Sequence, residues 1–218
     1  MQKNNTTGRY LGLTCIAAAV VDISYLLSIL NDDYFRVSVT SSIYFVSIDV
    51  MLVCLLNFTV YFTKNNLTNG LRMALRLAGL YACFETVLFA LNPFYEIALG
   101  YVHRDTVIAR YAYQMKPLYW LHLLFTYALV AAVLALLIVK LCRVPRGNTG
   151  PSFSMSSGGI VVLAAVNGVF LYLPGVSVFN LLDYSICGYS LTAFLMYWCC
   201  FHYSTHGMLN RLKTSMEK

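Results

Sequence analysis

Five ionisable side chains, Asp22, Asp49, Glu85, His122 and Asp183, stand inside long apolar runs of this chain. Charged groups at such positions are expensive in a bilayer, so each needs a partner or a task. Their spacing supplies companions. Tyr81, Glu85, Phe89 and Asn92 recur at helical intervals on one face. Trp120 and Tyr127 are seven residues apart, and His122 and Thr126 are four apart. Asp183, Cys187 and Ser190 share another stripe, and Ser42 precedes Asp49 by seven. Faces of this kind turn into a bundle, because lipid cannot hydrogen-bond them. A carboxylate and an imidazole at similar depth, such as Glu85 and His122, can form a pH-sensitive hydrogen bond open to a ligand. They can equally form a satisfied structural pair.

The elements that must position these groups are long apolar helices. The chain has 218 residues, 59% hydrophobic and only 11% charged, with a mean hydropathy of +0.67. Soluble domains carry about 25% charged residues, so this chain is short of the polar surface that water requires. A bilayer-spanning helix takes about 20 mostly apolar residues. Six segments qualify: 10–30, 39–63, 71–91, 118–142, 158–173 and 179–203. The first carries Asp22 and starts too late to look like a cleaved signal peptide. The expected fold is therefore an all-α membrane bundle of six helices (residues 1–203), with residues 204–218 extending the last helix into the cytoplasm.

Lys3, Arg9, Lys64, Arg72, Arg76, Lys140, Arg143, Arg146, Arg211, Lys213 and Lys218 fall on one side of this arrangement. Only Arg36, Arg104, Arg110 and Lys116 fall on the other. Positive residues stay inside, which places both termini in the cytoplasm. The net charge of +6 thus reads as membrane topology and not as a nucleic-acid surface. The outer loop contains "IALGYVHRDTVIARYAYQM", two β-rich stretches around a charged His-Arg-Asp. It reads as a small hairpin or lid over the outer mouth, with a plain irregular loop as the alternative.

Under this topology Glu85, His122, Asp183 and Asp22 lie in the outer half, and Asp49 near the middle of its helix. The expected site is an outward-facing pocket lined by Glu85, His122, Asp183 and Asp22, with Tyr81, Asn92 and Tyr127 on the same faces. Trp120, Tyr119 and Tyr95 would roof it. Plainer readings stand beside this one. Trp120 and Tyr119 suit an interfacial aromatic belt. Asp183 suits a helix N-terminus, and Asp22 and Asp49 suit glue between helices.

The seven cysteines are scattered, without a CxxC pair. His202 and His206 are four apart but lack carboxylate or cysteine support. Neither metal nor haem, which needs facing histidines at one depth, is expected, and no other cofactor is. Phosphate-binding, zinc-protease and nucleophile-elbow motifs are absent from the sequence, so no enzymatic activity is expected of this chain.

"LNPFYEIALGY" followed by "PLYWLHLLFTYALVAAVLALLIVKLCRVPR" resembles the N-terminal seven-transmembrane sensor region of bacterial histidine kinases, which also heads many diguanylate cyclases. The matching positions are Asn92, Pro93, Trp120, His122 and Tyr127. The order of helices in the family implies that its first helix is missing here and that an output domain is not included. The resemblance implies a sensory domain of the bacterial cytoplasmic membrane that binds a small molecule. The last helix would relay the signal through a homodimeric cytoplasmic helix to a kinase or cyclase. The rival expectation is a substrate-capture subunit of a vitamin or small-molecule uptake system, also compact, basic and six-helical.

Overall fold

The computed structural model describes residues 2–63, 68–105 and 110–143. They form α1 (Gln2–Leu30), α2 (Tyr34–Thr63), α3 (Asn69–Tyr95), β1 (Leu99–His103), β2 (Tyr111–Met115) and α4 (Pro117–Arg143). These four helices fall on the first four expected segments. The expected segments 158–173 and 179–203, Asp183, and the 204–218 extension lie outside the described residues.

Local chemistry sets the helix boundaries. Asn31 closes α1 by donating its side-chain amide to Leu27 O at 2.6 Å. Two residues later Asp33 opens α2, its carboxylate accepting from Arg36 N at 3.0 Å, the usual role of an N-cap. Thr68 caps α3 in the same way, accepting from Leu71 N at 3.3 Å. Pro117 occupies the first position of α4, where its missing N–H leaves no gap in the helix.

Helix α2 lies at the centre, packed against α1, α3 and α4. The α1 seam reads Leu11, Thr14, Ala18, Val21, Tyr25 and Ser28, all buried. Steps alternating between three and four residues are those of a left-handed helix pair. Facing it, Ser38, Ser41 and Ser42 are buried on α2. Small side chains let membrane helices approach closely. Some seam hydroxyls are served within their own helix: Ser24 bonds Val20 O at 2.6 Å, and Ser42 bonds Ser38 O at 2.9 Å.

The outer surface is apolar. Ile16, Leu80 and Leu124 are each about two-thirds exposed, and all four helices are long and apolar enough to cross a membrane.

The β-rich stretches of the third loop form an antiparallel hairpin, in register from Leu99 opposite Met115 to His103 opposite Tyr111. Its tyrosines lock it onto the α1–α2 corner. Tyr113 Oη accepts from Ser41 Oγ at 3.2 Å and lies 3.4 Å from Ser28 Oγ. Tyr34 packs edge-on against Tyr101 and Tyr111. Arg110 pairs with Asp32 at 3.1 Å on the exposed side.

Candidate functional site

Three helices converge on one buried point. Helix α3 buries Ala82, Glu85, Phe89 and Asn92, a single face of a 3.6-residue helix. Helix α4 buries Tyr119, His122, Leu129, Val133 and Leu137, again one face. Where these faces meet α2, His122 Nδ1 lies 2.9 Å from Glu85 Oε2 and 3.3 Å from Asp49 Oδ1. The three residues are 4%, 2% and 0% exposed for His122, Glu85 and Asp49, so the triad is closed to bulk water.

The imidazole sits in an aromatic cage. Phe89 and Phe45 meet it edge-to-face at centroid distances of 5.1 and 5.5 Å. Tyr119 closes a third side at 5.8 Å. These contacts fix the ring so that Nδ1 points at both carboxylates. Edge-to-face pairs of this kind are favourable in themselves, by about 0.5–1.5 kcal/mol. Phe45 also stacks on Phe89 at 5.3 Å and touches Tyr113 of the hairpin at 5.9 Å. One side chain therefore contacts the hairpin, α3 and the triad's histidine.

Of the residues expected at the site, the structure brings together Glu85, His122 and Tyr81. Tyr81 lies one turn before Glu85. Its buried hydroxyl has no hydrogen bond of normal geometry but is close enough to Glu85 to interact with it. Its ring packs on Phe125 of α4 at 4.2 Å.

Asn92 is buried but belongs to a different feature. Its Oδ1 accepts from Ala98 N at 2.8 Å and Leu99 N at 2.9 Å, and its Nδ2 donates to Leu99 O at 3.1 Å. Asn92 thus ties the last turn of α3 to the root of the hairpin, with Pro93 inside a helix that runs on to Tyr95. Glu96 follows in the left-handed region at φ 47°, its N–H bonding Asn92 O at 2.8 Å. Its carboxylate accepts from Tyr34 Oη and from Lys116 Nζ at 3.0 Å. Those two donors hold the Glu96 carboxyl below the usual carboxylate range.

Trp120 and Tyr127 are not brought to the triad's face of α4. At about 100° per residue they stand about 160° and 140° around the helix from His122. Trp120 is 56% exposed, and Tyr127 is half-buried. Asp22 is half-buried on α1, the helix that contributes no member of the triad.

Asp49 is the residue that sequence reasoning left out of the pocket, as interhelical glue. It lies fifteen residues into α2, about 22 Å along the axis, while His122 is only five residues into α4, about 7.5 Å. They meet because the helix ends do not share a level. Counting depth from each helix end therefore misled. The usable signal was the α2 stripe of Ser41, Phe45, Ile48, Asp49 and Leu52, all buried.

Asp49, Glu85 and His122 are also spaced so that they could hold a metal ion, with one donor atom of each lying within 4.8 Å of the others. The expectation of no metal rested on local Cys and His spacing. That spacing is blind to three ligands on three separate helices.

Long apolar helices around a buried, ionisable triad define a polytopic membrane domain. A family model described as the N-terminal 7TM region of histidine kinase matches residues 1–208. The chain belongs to that family, a sensory transmembrane region that is not itself catalytic, and is a multi-pass membrane protein. Neither the curated proteins nor the solved structures give a match. The resemblance seen at Asn92, Pro93, Trp120, His122 and Tyr127 agrees with this family, and nothing in the comparisons supports an uptake subunit.

Proposed function

We propose that the bundle receives a small-molecule signal at its hairpin end and answers by repacking α2, α3 and α4 around the Asp49–Glu85–His122 triad. The observation that carries this reading is the triad itself. It ties three helices at one buried point, and Phe45 connects that point to the hairpin. A change in how the hairpin sits would move Phe45 and alter the cage around His122. The two packings differ in energy only as far as the signal binds one better than the other.

The charge distribution supports an outward-facing hairpin, with both termini on the cytoplasmic side. On that orientation the hairpin is a lid over the outer mouth. The last helix of the bundle would carry the shift into a dimeric cytoplasmic helix and on to a histidine-kinase or diguanylate-cyclase output. The triad is closed to bulk water, so the signal would act on it from the hairpin end through Phe45. Native mass spectrometry of the purified domain should reveal the bound molecule. Glu85→Ala and His122→Ala should abolish the response to it and leave membrane insertion intact. A full response in both variants would remove the triad from the signalling path.

A further inference from the structure

We propose that Asp49, Glu85 and His122 hold one resident divalent transition-metal ion of the zinc class. The donor set is two carboxylate oxygens and one imidazole nitrogen, from three different helices, with their ligand atoms within 4.8 Å of one another. Zinc bonds to N and O run about 2.0–2.2 Å, so donors around a tetrahedral ion stand about 3.4 Å apart. Asp49 Oδ1 lies 3.3 Å from His122 Nδ1 and Glu85 Oε2 lies 2.9 Å from it. The first spacing already suits a shared ion. The second needs half an ångström, within reach of a small rotation of the glutamate side chain.

A separate observation points the same way. Both carboxylate oxygens of Asp49 are buried without a hydrogen bond of good geometry, in a residue that is 0% exposed. Among the described residues its one cationic neighbour, His122 Nδ1 at 3.3 Å, is shared with Glu85 at 2.9 Å, so two buried carboxylates divide a single imidazole, and buried charges are normally fully paired or bound to metal. Charge agrees with geometry. Two ionised carboxylates neutralise a divalent ion, whereas a protonated imidazole neutralises only one of them. An imidazole ligand selects zinc and its neighbours over magnesium and calcium, which take oxygen. Tyr81, its buried hydroxyl beside Glu85, is placed to orient that ligand from behind. With every ligand 4% exposed or less, the ion would be retained and would pin α2, α3 and α4 together. The site does not depend on the sensory reading, since metal content is measured without any signal or output.

The test uses the whole chain, purified with a histidine-free tag, incubated with Zn2+ and passed through gel filtration. Plasma mass spectrometry should find about one tightly held equivalent per chain. Asp49→Asn and His122→Gln should lose it, and a His202→Ala/His206→Ala variant should keep it. X-ray absorption at the zinc edge of the wild-type protein should show a shell of nitrogen and oxygen with one imidazole. This decides the matter even if the triad variants do not fold. Wild-type protein without stoichiometric zinc, folded triad variants that retain it, or a shell containing sulfur or two imidazoles would each overturn the site.

Discussion

Glu85 meets His122 at 2.9 Å and Glu96 meets Lys116 at 3.0 Å, yet the two pairs live in different solvents. The first lies within an aromatic cage between three helices, with both residues almost fully buried. The second stands at the hairpin's root, with side chains 34% and 41% exposed for Lys116 and Glu96. Distance alone does not rank them. Removing one partner of a buried pair strands the other in low dielectric, at about 3–5 kcal/mol in soluble proteins. An exposed pair is screened by water and salt, and is worth about 0–1 kcal/mol. The same chemistry therefore holds the bundle together in one place and trims a loop in the other.

The largest effect should come from His122→Ala, which strands the Glu85 and Asp49 carboxylates beside each other without the imidazole they share. Unfolding in detergent should show a loss of about 3 kcal/mol. A loss no greater than that of a surface variant would erase the contrast between the two clusters. Asn92→Ala comes next. It leaves Ala98 N, Leu99 N and Leu99 O without their side-chain partner, and each buried unmet group costs about 1–3 kcal/mol. Hydrogen exchange should therefore rise in β1 and β2 before it rises in the α1–α2 seam.

Glu96→Gln should cost less than about 1 kcal/mol, with a distinct pH signature. The Glu96 carboxyl is held below its ordinary value by Tyr34 and Lys116, so the unfolded chain binds its proton more readily. The stabilisation is then present above the unfolded value, about 4.3, and is lost as pH falls through the lower folded value. Hairpin protection in the wild type should weaken over that acid range, and Glu96→Gln should flatten the dependence. Trp120→Ala should be smallest, within about 0.5 kcal/mol, because its ring is mostly exposed. A large effect there would return Trp120 to the site.

The long elements were legible because apolar length is a strong signal. The α3 stripe was equally readable, since Glu85, Phe89 and Asn92 repeat at helical spacing. The hairpin showed in its β-rich halves around His103, Arg104 and Asp105. What the residues did not reveal was which polar groups meet. Trp120 and His122 are neighbours in sequence and nearly opposite on the helix. Asn92 looked like a pocket residue, but its amide faces a turn that sequence periodicity does not describe. Asp49 was discounted on depth, which depends on tilt and on helix ends at unequal heights. Interhelical register is a property of packing, and one chain's pattern carries little of it.

The most direct test places a histidine-kinase catalytic core in frame after Lys218 and measures autophosphorylation in proteoliposomes. If the triad sets the packing that the output reads, Asp49→Asn, Glu85→Gln and His122→Gln should each shift basal activity by about 5–150-fold, the usual range for a coupled site. Glu96→Gln and Trp120→Ala should stay within about twofold. Folded, inserted triad variants with wild-type activity would contradict the triad's role, as would a larger shift from Trp120→Ala than from any of them.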